Sequence, residues 1–194
     1  MESIQNQEPA RCRERRYEAL ARVVAQPLHR YLVRRADAGQ VDDVLAETML
    51  VLWRRLDDVP GLPKDAAPAA DDVLPWCYGV ARGCLANARR ADRRRLRLVE
   101  RLLHVASPPQ PSPHTTDHEE LHTALGALGE VDREVVLLWA WEELTPRAIA
   151  EVTGLSPNAV SIRLHRAKKK LAAILERKIG TPAGQATGEG RSNW

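Results

Sequence analysis

EELTPRAIAEVTGLSPNAVSIRLHRAKKKL, residues Glu142–Leu171, is the most informative segment of this 194-residue chain. It reads as two short helices around a tight turn. Thr145 followed by Pro146 is a helix start, a hydroxyl that accepts an orphan backbone N–H and then a proline where no N–H is needed. Ile149, Ala150 and Val152 give the first helix a buried side, and Gly154 supplies the positive φ of a tight turn. Ser156 and Pro157 repeat the start signal. Val160, Leu164, Ala167 and Leu171 then recur on one stripe, with Asn158, Ser161, Ile162, Arg163, His165, Arg166 and Lys169 off it. This is the pattern of a helix-turn-helix whose second helix enters a DNA major groove with its first turns at the base edges. A plain helical hairpin with a solvated basic face accounts for the apolar stripe alone. It does not account for two caps, a turn glycine and the charges falling together.

The formal net charge is only +3, but its distribution is uneven. Arg89, Arg90, Arg93, Arg94, Arg95, Arg97 and Arg101 form one run, opposed nearby only by Asp92 and Glu100. Arg163, Arg166, Lys168, Lys169 and Lys170 form a second with no acid inside it. One such run is ordinarily a solvated face; two separated runs suggest two contacts on one polyanion. Cys12, Cys77 and Cys84 are odd in number and lack metal-ligand spacing, so neither a disulfide framework nor a zinc site is indicated, and buried structural thiols are the reading for Cys77 and Cys84. His104, His114, His118 and His122 lie in or beside a proline-rich stretch, and no nucleophile clusters with a base. No catalytic residue, cofactor or metal is therefore expected. No run is long and apolar enough to span a membrane, and the first residues lack the apolar core of a signal peptide, which predicts a cytoplasmic setting.

Periodicity along the chain is helical almost throughout, predicting an all-α protein of two small domains joined by a flexible tether. A helix is read over Tyr17–Arg35, and another over Gln40–Leu56, where Val41, Val44, Leu45, Thr48, Leu52 and Leu56 form a stripe behind Asp42 and Asp43. Asp57–Val73 is a long Pro/Ala/Asp-rich loop, of the length that is functional or unstructured. Leu74–Leu103 is helical again. The boundaries read as an unstructured 1–12, a first domain 13–103, an extended linker 104–118 with Pro108, Pro109, Pro111 and Pro113, a second domain 119–176, and an unstructured tail 177–194.

Three strings together resemble one family. DDVLAETMLVLWRRL (Asp42–Leu56), LPWCYGVARGCLANARRADRRR (Leu74–Arg95) and ALGALGEVDREVVLL (Ala124–Leu138) followed by the helix-turn-helix resemble, in that order, regions two and four of the extracytoplasmic-function sigma factors of bacterial RNA polymerase. The helix-turn-helix alone is shared by other regulators, so the ordered combination carries the likeness.

The resemblance implies a promoter-specificity subunit with core RNA polymerase, promoter DNA and an anti-sigma factor as partners; the alternative is a stand-alone helix-turn-helix regulator. It implies docking of the acidic helix on the clamp helices of the largest polymerase subunit, through Asp43, Glu47, Leu50 and Trp53, and of the second domain near the flap of the second-largest. It implies that Trp76, Arg89, Arg90, Arg93 and Arg94 hold the melted −10 strand, and that Asn158, Ser161, Arg163, His165, Arg166 and Lys169 read the −35 duplex. Both tryptophans are read equally well as core residues. This chain departs from the family pattern at Ala46 (usually Gln), Gly79 (often Arg), Gly83 (commonly Asn), Asn158–Ala159 (Gly-Thr) and Ser161–Ile162 (a basic-Ser pair), which bears on promoter sequence.

Overall fold

The computed structural model describes residues 7–64, 66–103 and 119–179, and every regular element among them is helical. In a first unit, α1 (Gln7–Val33), α2 (Val41–Arg54) and α3 (Ala70–Leu103) pack on one another. In a second, α4 (Glu119–Gly126), α5 (Glu130–Ala140), α6 (Pro146–Thr153) and α7 (Pro157–Ile179) do so. The first core follows from spacing. Leu20, Val24, Leu28 and Leu32 recur every four residues along α1 and are fully buried. On α2 the stripe is Val41, Val44, Thr48 and Leu52. The Thr48 hydroxyl donates to the Val44 carbonyl at 2.7 Å, so this buried polar group is satisfied within its own helix. From α3 come Val73, Cys77, Tyr78, Ala81, Cys84 and Leu85. Burial pushes the Cys77 thiol up to about 12 and raises that of Cys84, so both pack as small apolar groups rather than thiolates. Beyond Leu85, α3 leaves this core and carries its arginines outward, with Leu96, Leu98 and Val99 exposed among them.

In the second unit Val135, Leu138, Ile149 and Val160 are fully buried. Arg133 closes the end of α4, donating to the carbonyls of Leu125, Gly126 and Leu128 at 2.8, 3.0 and 3.3 Å. Carbonyls at a helix end lack the N–H of a following turn, although that of Leu125 also accepts the Leu128 N–H at 3.1 Å. Arg133→Ala is expected to lower the unfolding free energy by about 1–3 kcal/mol, seen as a lower Tm in calorimetry. An unchanged Tm would remove this role from the arginine.

Several boundaries differ from those predicted. Helix α1 begins at Gln7, so residues 7–12 are helical where the sequence predicts an unstructured N-terminus, and Pro9 falls in the first turn, where its missing N–H is not needed. The 57–73 connection is shorter than its composition suggests, because Leu56–Asp58 forms a 3-10 turn and α3 starts at Ala70; Val59 and Pro68 are buried along it. Helix α7 continues past residue 176 to Ile179. The extended linker at 104–118, and the termini at 1–6 and 180–194, lie outside the described residues.

The two units pack against each other, which the sequence does not predict. Helix α6 lies along α3, and a Cβ placed on Gly79 would stand 3.8 Å from the Val152 Cα, so a longer side chain there would wedge the helices apart. The end of α1 meets the middle of α5 and the turn just past it. Arg35 pairs with Glu142 at 3.0 Å and Glu134 at 3.4 Å, and Arg34 pairs with Glu142 at 2.7 Å. The side chains of Arg35 and Glu142 are only 4% and 3% exposed. The Tyr31 hydroxyl donates to Glu134 at 3.1 Å, and burial, with the Glu134 charge, holds its pKa far above the usual phenol range.

Candidate nucleic-acid interface

The helix-turn-helix is fixed by the signals read in its sequence. The Thr145 hydroxyl accepts the Ala148 N–H at 3.2 Å, and the Ser156 hydroxyl accepts the Ala159 N–H at 3.2 Å. Gly154 sits at φ 74°, ψ 13°, the left-handed region in which a residue with a Cβ is strained. Ile149, Ala150 and Val152 of α6 meet Val160, Leu164 and Ala167 of α7 in the core, as the stripes predict.

The opposite side of α7 sorts the predicted base readers. Asn158, Ile162, His165, Arg166 and Lys169 are exposed and recur at the spacing of one helical face. None of the polar members of this set pairs with another described residue. Arg163 is turned toward α5, where it pairs with Asp132 at 2.7 Å. Ser161 donates to the Pro157 carbonyl of its own helix at 3.0 Å. Lys168 lies over the Trp139 ring at 4.0 Å, and Lys170 donates to the Ala127 carbonyl at 2.6 Å. The outward face thus carries fewer cations than the linear run suggests. Of the partners that draw the others aside, Asp132 and Trp139 sit on α5 and Ala127 just before it, and no local pattern links them to α7.

Around α3 the predicted residues are divided as well. Trp76 is half-buried beneath the Arg55 guanidinium, 5.0 Å from its ring centroid, and borders a cleft of about 560 Å³ between α3 and α6. Gly79, Gly83 and Asn87 line one wall of that cleft, and Glu151 to Gly154 line the other. Arg89 donates to the Arg35 backbone carbonyl and Arg90 to the Asn87 side chain. Arg93 and Arg94, one turn further out, are exposed.

On α2, Asp43, Glu47 and Leu50 form an outward stripe, with Leu50 41% exposed. Trp53 does not join it. Its ring packs edge-on against Tyr17, with centroids 5.2 Å apart, beneath the Arg13 guanidinium, which places it in the seam with α1. Arg13 and Arg16 close the same corner on Asp57 at 2.7 and 2.9 Å, and those hydrogen bonds hold its carboxyl below the ordinary range. Sequence reasoning missed three contacts: Arg55 over Trp76, Asp132 against Arg163, and the charged contact of Arg34 and Arg35 with Glu134 and Glu142.

Residues 118–171 match the family model for sigma-70, region 4. The chain is 30% identical over 160 residues to the ECF RNA polymerase sigma factor SigF of Caulobacter vibrioides, an alignment covering 79% of this chain and 82% of that protein. It is 30% identical over 161 residues to a protein of Xanthomonas campestris named "Probable RNA polymerase sigma factor RfaY", covering 78% of this chain and 38% of that one. Its fold is that of the sigma factor RpoE in the complex with the anti-sigma factor NepR from Bartonella quintana, with a TM-score of 0.57, 16% identity, and coverage of 82% of this chain and 96% of that one. The ordered helices of both units and these likenesses together place the chain in the family of extracytoplasmic-function sigma factors of RNA polymerase.

Proposed function

We propose that this chain is a promoter-specificity subunit, which joins core RNA polymerase and directs it to promoters through two separate DNA contacts. The observation that carries this reading is a pair of outward stripes of opposite character in one chain. Helix α7 offers Asn158, His165, Arg166 and Lys169 to a polyanion, while α2 offers Asp43, Glu47 and Leu50 to a basic, partly apolar surface. A stand-alone helix-turn-helix regulator needs the first stripe. It has no use for the second, nor for the arginine-bearing end of α3.

On this reading residues 13–103 dock the polymerase and hold the −10 strand, and residues 119–176 read the −35 duplex. Asp43 and Glu47 match positive charge on the clamp helices of the largest subunit, and Leu50 is the buried anchor. Trp53 supports α2 from behind. Arg93 and Arg94 meet phosphates, and Trp76 offers a ring face to one unstacked base, worth about 1–3 kcal/mol. The second unit also meets the flap of the second-largest subunit, and an anti-sigma protein is the expected regulator of both units. No bond-making step is assigned to the chain. Its working place is the cytoplasm, beside the polymerase; among the described residues no helix is long and apolar enough to cross a membrane.

Run-off transcription from a genomic fragment library, with purified core polymerase and with or without this chain, tests the reading. New starts that share two spaced upstream elements are the expected result. Absence of new starts, with specific duplex binding retained, would favour the stand-alone regulator. Within −35 recognition, Arg166→Ala is expected to weaken duplex binding by about 1–3 kcal/mol. Arg163→Ala, its guanidinium already held by Asp132, should matter less. Titration of a promoter duplex gives both values, and the reverse order would undo this division of the arginines.

A further inference from the structure

We infer that Ile162 is a specificity-determining residue that reads the 5-methyl group of a thymine in the −35 duplex. Ile162 is 44% exposed although it is a large apolar residue on an otherwise polar face. It stands one turn after Asn158 and one turn before His165 and Arg166, so it shares their outward stripe, opposite the buried Val160 and Leu164. It lies in the second turn of α7, and the first turns of a recognition helix are the part that reaches base edges. Its β-branch leaves essentially one χ1 rotamer in a helix, so little side-chain freedom is lost on contact. In the major groove the apolar feature a side chain can meet is the thymine methyl, and aliphatic contact with it discriminates T from the other bases. The flanking imidazole, guanidinium and Lys169 ammonium commit this face to a polyanion rather than to an apolar protein groove.

The inference rests on the proposed −35 reading and deepens it, and the test separates the two. Holoenzyme assembled with the full-length chain is titrated with promoter duplexes recovered by run-off transcription, in which each −35 thymine is replaced singly by deoxyuridine. That change removes one methyl group and leaves every hydrogen bond in place. One position is expected to lose affinity by roughly fourfold, the value of one buried methyl group. Ile162→Ala should bind the thymine duplex about as weakly as the natural chain binds the uridine duplex, and should be insensitive to uridine at that position. Tight binding by the natural chain that is indifferent to uridine everywhere would overturn the inference while leaving the −35 reading intact. So would a uridine effect that persists unchanged in Ile162→Ala. Binding that does not depend on the −35 element at all would overturn both.

Discussion

Glu142→Ala is expected to open the contact between the two helical units. Glu142 accepts from both Arg34 and Arg35, and the Arg35 side chain is only 4% exposed. Without Glu142 the Arg35 guanidinium keeps one carboxylate, Glu134 at 3.4 Å, and the Tyr31 carbonyl at 3.2 Å, and one of its nitrogens already lacks a partner. Stripping one member from a buried ion pair costs about 3–5 kcal/mol because the remaining charge stays desolvated. Here the chain can escape that penalty by separating its units and rehydrating the arginine, which caps the loss at the free energy of separation. The expected observation is a larger radius of gyration in small-angle X-ray scattering, with helical content unchanged. Combining Arg35→Met with Glu134→Gln and Glu142→Leu should restore the compact form, since uncharged groups of similar volume replace the charges and Tyr31 keeps an acceptor. An unchanged radius for Glu142→Ala would show that the packing of α3 on α6 suffices without the ion pairs.

Glu47→Lys should abolish most binding to core polymerase, by on the order of a hundredfold, and equally at every promoter. Glu47 is exposed on the α2 stripe, and a like charge placed against a basic docking surface costs several kcal/mol. Exposure also means that the fold tolerates the reversal, with Tm essentially unmoved. A pull-down in the absence of DNA isolates this effect. Arg166→Ala should pass the same pull-down undiminished and lose only promoter affinity. Equal losses for the two variants in that assay would contradict the division of labour between α2 and α7.

What could be read from the sequence was whatever is settled within a few residues. Thr145 and Ser156 cap the helices that follow them, Gly154 turns the chain at positive φ, and the α2 and α7 stripes are buried as their spacing predicts, apart from the half-buried Leu45 and Leu171. Features joining distant positions were illegible. Arg35 and Glu142 are 107 residues apart in the chain, and each looks locally like an ordinary solvated helix-end charge. Arg163 reads as a base reader by its place in the basic run, which does not reveal its pairing with Asp132 of α5. Trp53 and Trp76 could be core or contact from sequence alone; the first proved to lie in the α1 seam and the second at the edge of an open cleft. The start of α1 escaped notice because Gln7 to Arg16 offers no apolar stripe to reveal it.

The charged contact between the units also sets a tax on binding. Removing ions from water offsets most of what their attraction returns, so such a contact aligns surfaces more than it glues them. Helix α6 borders the Trp76–Gly83 wall of α3, so a strand lying along that wall competes with the chain's own second unit. Apparent affinity is then the intrinsic affinity scaled by the fraction of molecules that are open. If the −10 strand lies along that wall, as proposed, a substitution that tightens the Arg35–Glu142 contact would weaken recognition of every −10 sequence by the same factor, without altering any atom that touches DNA.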